Sequence, residues 1–211
     1  MEQNVFIIAI VVFLGATYAS LLTSWLLRRH LGRHLTAGSL AAPIVEDAMT
    51  RVFSSEAIVQ FFEIKRAKAA QPGREPEPIS FILLDVDDFK RINTQFGMEG
   101  GDRLVSEVAG LLKANTRGAD DALFRYKLGD EFLILCYGAT GTIAAERIAP
   151  RISELISNHD YYLSASSDEI RITVSMGVTE YHHGETFDQL IRRLESALRK
   201  SKLRKNQIVV L

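Results

Sequence analysis

Apolar positions cluster along this chain. From Val5 to Leu27 no residue carries a charge. A run of that length matches the roughly 30 Å hydrocarbon core of a bilayer and predicts one transmembrane helix over residues 5–27. The short tail 1–4 before it holds one acid, Glu2, and no base. Arg28, Arg29 and Arg33 follow it, with His30 and His34 among them. Basic residues flank spans on the cytoplasmic side, so the chain after the run is expected on the cytoplasmic side of the membrane. A cleaved secretion signal wants bases in front and a shorter core, which this run lacks. A helix buried in a soluble core seldom runs so far without a charge. Residues 28–43 read as a basic juxtamembrane segment and a linker of small residues. They leave no room for a sensor domain before the body at 44–211.

Within that body the periodicity changes from element to element. Ile58, Phe61 and Phe62 have helical spacing over 54–70, and the Pro- and Gly-rich stretch 71–78 is a loop. Ile79–Leu84 is apolar except for Ser80, the pattern of a strand buried on both faces. A helical stretch starts at Phe89, breaks at Gly97 and resumes after Gly100. Its apolar stripe is Leu104, Val108, Leu111 and Leu112. Ala122–Tyr126 and Phe132–Cys136 form a hairpin across a Gly-Asp turn. Residues 143–158 predict a helix kinked at Pro150, and Ile170–Val178 a strand. Phe187, Leu190, Ile191, Leu194, Ala197 and Leu198 line one face of a helix, and Ile208–Leu211 closes the chain as a short strand. Alternating strands and helices that include a hairpin predict an α+β (α/β sandwich) fold. Its central mixed sheet carries the β-hairpin and is flanked by helices.

Composition narrows the function classes. The 25 Lys and Arg against 26 Asp and Glu argue against a general nucleic-acid binder, which presents a strongly basic face. A single cysteine, Cys136, excludes an internal disulfide framework and a cysteine zinc cage, and its apolar strand makes it a small core residue. His182 and His183 sit in a loop after a strand and read as a surface pair.

The candidate chemistry is acidic. Asp85-Val86-Asp87-Asp88 lies just past an apolar strand and before a helix, a common place for a ligand site in sheet proteins. Taken alone, such a string is equally a solvated strand end. Gly129-Asp130-Glu131 lies in the hairpin turn, where Gly-Asp is favoured for backbone reasons alone. The two groups acquire meaning together. If the hairpin neighbours the Asp85 strand, Asp85 and Asp130 can share a cation, since two uncompensated carboxylates held close repel each other. Oxygen ligands of this type suit Mg²⁺, which completes its shell with water and phosphate.

Asp85-x-Asp87-x-Phe89-Lys90-x-Ile92-Asn93-x-x-x-Gly97-x-x-x-Gly101-Asp102 resembles the first signature of GGDEF domains, the bacterial diguanylate cyclases. Leu128-Gly129-Asp130-Glu131-Phe132 is similar to the name-giving motif, and Ser175-Met176-Gly177-Val178 to a later strand of the family. Ala197-Leu198 with Lys202 resembles its C-terminal helix, and Asp47 to Val52 a worn form of its opening loop. The resemblance spans about Asp47 to Leu211. It implies a nucleotidyl-cyclase-like fold that condenses two GTP into cyclic di-GMP with Mg²⁺ (or Mn²⁺), each subunit of a homodimer holding one GTP. It further implies Asp85, the Val86 carbonyl, Asp130 and Glu131 at the metal. Asp130 would help deprotonate the attacking 3′-hydroxyl. Lys90 and Lys202 would meet phosphates, Asn93 and Asp102 would read the guanine edge, and Gly129 would let the backbone approach the nucleotide. A family Arg normally lies four residues beyond the lysine of the last helix. Asn206 holds that spacing here, which leaves Arg204 or Lys205 to take the role. Arg117 with Asp120 resembles the family's product-inhibition pair, although a solvated turn has the same pattern.

Leu128 replaces the first glycine of the signature, and Arg125-Tyr126-Lys127-Leu128 holds one residue more than the family pattern before Gly129. A bulge in the hairpin arm is the expected way to restore register. Thr94 and Met98 replace a family Asp and His. Three readings follow: an active cyclase, a catalytically silent GGDEF module that binds GTP or cyclic di-GMP and signals through protein contacts, and a membrane-anchored interaction protein. With no sensor, the membrane helix or a membrane or cytoplasmic regulator would have to control pairing.

Overall fold

The computed structural model describes residues 45–70, 73, 75–118, 120–127, 129–164 and 169–211. The expected membrane helix at 5–27, the segment 28–43 and Leu128 lie outside them. Among the described residues no helix is long and apolar enough to cross a membrane. The chain divides between Pro43 and Ile44, and the second unit carries the described fold.

Strand β1 (Ile79–Val86) is buried along nearly its whole length, as its continuous apolar run requires. It pairs antiparallel with β3 (Glu131–Tyr137) on one side and β4 (Val174–Glu180) on the other. The hairpin strand β2 (Ala122–Arg125) lies outside β3, and β5 (Ile208–Val210) runs parallel to β4 at the far edge. The result is a mixed five-stranded sheet in the order β2-β3-β1-β4-β5.

Side-chain alternation then divides the core into two layers. Ile82, Leu84 and Val86 enter one layer with Leu104, Val108 and Leu112 of α2 (Phe89–Asn115) and Ile152 and Ile156 of α3 (Ala149–Ser157). Phe81 and Leu83 enter the other with Phe62 of α1 (Ile58–Ala69) and Leu190, Leu194 and Leu198 of α4 (Phe187–Lys202). Each of the wholly buried β1 side chains contributes about 2 kcal/mol of apolar burial. A sheet covered on both faces by helices is the sandwich that the sequence pattern predicts.

Three local expectations are corrected. The fourth strand begins at Val174, because Ile170 makes only an isolated bridge to Tyr161 while Ile172 is buried without a ladder. The helix expected from Ile143 begins at Gly141, capped by Thr140, whose hydroxyl accepts the Ile143 N–H at 3.2 Å. Its expected kink at Pro150 is a π-helical turn, Ala144–Ile148, in which the Ala149 N–H reaches back to the Ala144 carbonyl. Pro150 then sits in the first turn of α3, where a missing N–H costs nothing. The break in α2 falls at Gly97 as expected, with φ 73° and ψ 176°. The left-handed sign of that φ suits glycine.

Candidate active site

The acids converge at the C-terminal end of β1. Asp85 follows Phe81 and Leu83 in alternation, so it falls on the α4 side of the sheet. Glu131 is its cross-strand partner and shares that face with Leu133 and Leu135. Asp130, one residue before β3, lies close enough to Asp85 for that charge to act on its carboxyl. From the other side Lys202, at the end of α4, donates to the Asp85 carboxylate and, at 3.1 Å, to the Val86 carbonyl. Lys202 also lies 3.5 Å from the Asp87 carboxylate, so the acids here outnumber the ammonium groups near them.

That imbalance shows in the protonation of the acids. Burial and then the Asp85 charge push the Asp130 carboxyl up to about 7, partly opposed by its own backbone N–H and by Lys202. Burial and Asp85 raise Glu131 in the same direction. Both shifts follow from too little positive charge in a partly desolvated place.

The backbone next to Asp85 carries a second anchor. The Asp87 carboxylate is buried and accepts the Thr173 hydroxyl at 2.7 Å, the Ser175 hydroxyl at 2.7 Å and the Asn206 N–H at 2.8 Å. It thereby ties the turn after α4 to the end of β1. Lys205 donates to Asp88 at 2.6 Å, which holds that exposed carboxyl below its ordinary range. The structure thus places Lys205, expected at phosphate, on Asp88.

The hairpin strands pair without the expected bulge. Pairing from Ala122↔Leu135 to Arg125↔Phe132 is unbroken, and the Tyr126 N–H closes onto the Glu131 carbonyl at 2.8 Å. Lys127, next in the chain, adopts φ 56°. The Arg125 guanidinium donates twice to the Gly129 carbonyl, both at 3.1 Å, and to the Asp47 carboxylate at 3.1 and 3.2 Å. Burial works to raise the Asp47 carboxyl, but bonds from the Thr50 hydroxyl and N–H and the Arg125 charge outweigh it and hold it low. Arg125 as a brace for the turn, and Asp47 behind it, have no signature in local sequence. Both contacts follow from the placement of β2 beside the opening loop.

Helix α2 supplies the remaining expected residues. Lys90 is exposed in its first turn. Asn93 Oδ1 is buried and lacks a hydrogen-bond partner. It lies over Gly101 across the Gly97 kink: a Cβ added at Gly101 would come within 1.8 Å of it. Asp102, next in the chain, is exposed. An unpaired carbonyl oxygen beside an exposed carboxylate suits a ligand edge rich in N–H donors. Gly101→Ala would push the Asn93 side chain aside while costing little stability. A nearly unchanged melting temperature in thermal unfolding is the expected result.

Arg117 and Asp120 lie elsewhere and are not paired with each other. Arg117 forks onto Asp121, at 2.8 and 3.1 Å, and donates to the Tyr137 carbonyl at 3.1 Å. Asp120 faces Lys68 at 3.8 Å. Cys136 is buried, and burial pushes its thiol up.

The family model described as "Diguanylate cyclase, GGDEF domain" matches residues 44–207. The chain belongs to the GGDEF domain family. Among curated relatives, Diguanylate cyclase A of Treponema denticola is 34% identical over 134 residues, covering 62% of this chain and 34% of the relative. Response regulator PleD of Caulobacter vibrioides is 33% identical over 135 residues, covering 64% of this chain and 29% of the relative. The chain spans about a third of the length of these relatives. Among solved structures, the diguanylate cyclase SiaD of Pseudomonas aeruginosa, in complex with its activator SiaC, superposes with a TM-score of 0.71 at 23% identity. That match covers 100% of this chain and 78% of that one. The GGDEF domain of DgcB from Caulobacter crescentus, bound to c-di-GMP, gives 0.70 at 23% identity, covering 80% and 94%. These structural matches establish the GGDEF fold of the second unit.

Proposed function

We propose that this GGDEF protein is a diguanylate cyclase that condenses two GTP into cyclic di-GMP and pyrophosphate, one GTP held by each copy of a homodimer. The observation that carries this reading is the meeting of Asp130 with Asp85 on one face of the sheet, beside Lys202. Their fit to a divalent cation rests on the donor set. Lys202 already places a positive charge on the Asp85 carboxylate and the Val86 carbonyl, and Asp130 remains short of one. Asp85, Val86, Asp130 and Glu131 offer only hard oxygen donors, which suit Mg²⁺ or Mn²⁺. When bound, such an ion supplies neutralisation of phosphate charge and a lower pKa for a nearby hydroxyl.

The chain's own groups do the rest. Asn93 and Asp102 hold the guanine edge. Lys90 and Lys202 meet the phosphates as point charges, Lys202 exchanging Asp85 for phosphate. The 3′-oxygen of one GTP bonds to the α-phosphorus of the other, and the bond to the departing pyrophosphate breaks. The proton leaving the 3′-hydroxyl passes to the Asp130 carboxylate. The same event in the opposite sense closes the ring, which requires two copies face to face.

The uncharged run Val5–Leu27 and its basic flank support a single-pass anchor in a bacterial inner membrane with this domain in the cytoplasm. Pairing would then be set by that helix or by a regulator.

The contact of Lys202 with Asp85 also favours a second reading, a silent module that binds GTP or cyclic di-GMP and acts through protein contacts. The full-length chain in lipid nanodiscs, incubated with GTP and Mg²⁺, separates the two. Cyclic di-GMP detected by mass spectrometry supports the cyclase. GTP bound without turnover supports the module and rejects the cyclase.

A further inference from the structure

Glu195 lies on α4 seven residues before Lys202, two helical turns away on the same side. Its carboxylate accepts two groups from the hairpin turn: the Tyr126 hydroxyl at 2.8 Å and the Lys127 ammonium at 2.7 Å. We infer that Glu195 is a positioning residue that holds Tyr126 and Lys127 at the end of β2 and so keeps Asp130 against Asp85. The inference rests on the cyclase reading for its effect on turnover.

The geometry gives the reason. Strand pairing ends at Arg125↔Phe132, and the chain must then reverse before it reaches Asp130. It begins that reversal with Lys127 in the left-handed region, which a side chain with a Cβ adopts reluctantly. Lys127 also stacks its ammonium over the Tyr126 ring, 4.8 Å from the centroid. Glu195 gathers both residues onto one carboxylate. At the exit of the turn, Arg125 holds the Gly129 carbonyl. Both braces thus act on the chain just before Asp130. If the Glu195 brace is released, Lys127 can relax out of its conformation, and the chain direction changes three residues before Asp130. The Tyr126 side is dependable: burial and Glu195 push its phenol up, so it stays a donor in neutral solution. The helix that sets Lys202 against Asp85 thus also sets the turn against Asp85. One rigid element aligns both sides of the acid pair.

The test uses the full-length chain in detergent micelles. Mn²⁺ binding without nucleotide is followed by electron paramagnetic resonance, and turnover of GTP is measured separately. Glu195→Ala is expected to weaken Mn²⁺ binding about tenfold and to lower kcat about tenfold, as losses of supporting hydrogen bonds at metal ligands do. The KM for GTP should stay within about twofold, because Asn93 and Asp102 lie on α2 and are untouched. Glu195→Gln, which keeps an acceptor for both groups, should recover most of both losses. Adding Lys127→Met to Glu195→Ala should cost little more, since both remove one brace. The inference is overturned if Glu195→Ala binds Mn²⁺ as the native chain does, or if Glu195→Gln restores nothing. A native chain that binds Mn²⁺ but forms no cyclic di-GMP defeats the cyclase reading alone, and the Mn²⁺ comparison still decides the role of Glu195.

Discussion

Asp130→Asn is expected to lower cyclic di-GMP formation by a factor on the order of 10²–10³ or more, the cost of losing one well-placed electrostatic group. The amide keeps the shape of the carboxyl, so the hairpin and its braces should persist. What disappears is the second anionic oxygen ligand and the group that takes the 3′-hydroxyl proton. The same variant has a second signature, in stability. Burial and Asp85 raise Asp130 from 3.8 to about 7 in the folded chain. Between those values the unfolded chain releases this proton and the folded chain keeps it. Protonation of Asp130 therefore favours the fold below 3.8, and the benefit declines as pH rises and is gone above about 7. Asp130→Asn removes that penalty. In buffer free of divalent ions its melting temperature, relative to the native chain, should be higher by a few degrees (about 4 °C) at pH 8 than at pH 4. Equal differences at the two pH values would mean that Asp130 is not pressed against Asp85.

Gly177→Ala is expected to destabilise the protein by about 3 kcal/mol, at the upper end of overpacking costs. A Cβ there would lie 2.6 Å from the Leu198 N and 2.7 Å from the Leu194 O, with the Ala197 Cβ at 2.9 Å. Two of these three atoms are backbone, so no side chain can swing away to make room. Helix α4 would have to lift from β4. That lift would also carry Lys202 from Asp85 and Glu195 from the hairpin, so activity should fall further than the loss of folded protein explains. Urea unfolding tests this directly: the midpoint should drop with an unchanged slope, whereas a change below about 0.5 kcal/mol would show that α4 tolerates the displacement.

The two lines of effect meet at contacts that differ in how far they could be read from sequence. The two-sided burial of β1 was plain in Ile79–Leu84, because a strand covered on both faces shows an unbroken apolar run. The amphipathic α4 was equally plain in the spacing of Phe187, Leu190, Ile191, Leu194, Ala197 and Leu198. Local pattern failed where burial and pairing part company. Ile170 and Ile172 face the interior, yet the ladder starts only at Val174. The π turn before Pro150 also left no periodic trace, since one extra residue in a turn barely alters the apolar stripe.

At the site, residue types were legible and their partners were not. Asp85, Asp130 and Glu131 stood out as acids at chain reversals. That Asp85 and Glu131 are cross-strand neighbours depends on β3 lying beside β1, which only the sheet order fixes. Lys202 to Asp85, Arg125 to Asp47 and Glu195 to Tyr126 each join residues far apart in the chain. No window of sequence contains such pairs. A bulge was expected in the hairpin arm before Gly129, but the pairing from Ala122 to Arg125 keeps its register. An unbroken register keeps Phe124 and Phe132 in their buried positions, which a slip would turn outward.

The most direct measurement is a crystal structure of the full-length chain with Mn²⁺ and a non-hydrolysable GTP analogue, the metal located by its anomalous scattering. One Mn²⁺ touching the Asp85 and Asp130 carboxylates and the Val86 carbonyl, with Lys202 moved onto phosphate, is the expected result. Manganese bound elsewhere, with Lys202 still on Asp85 and Asp130 turned away from it, would contradict the shared-cation site on which the proposed chemistry depends.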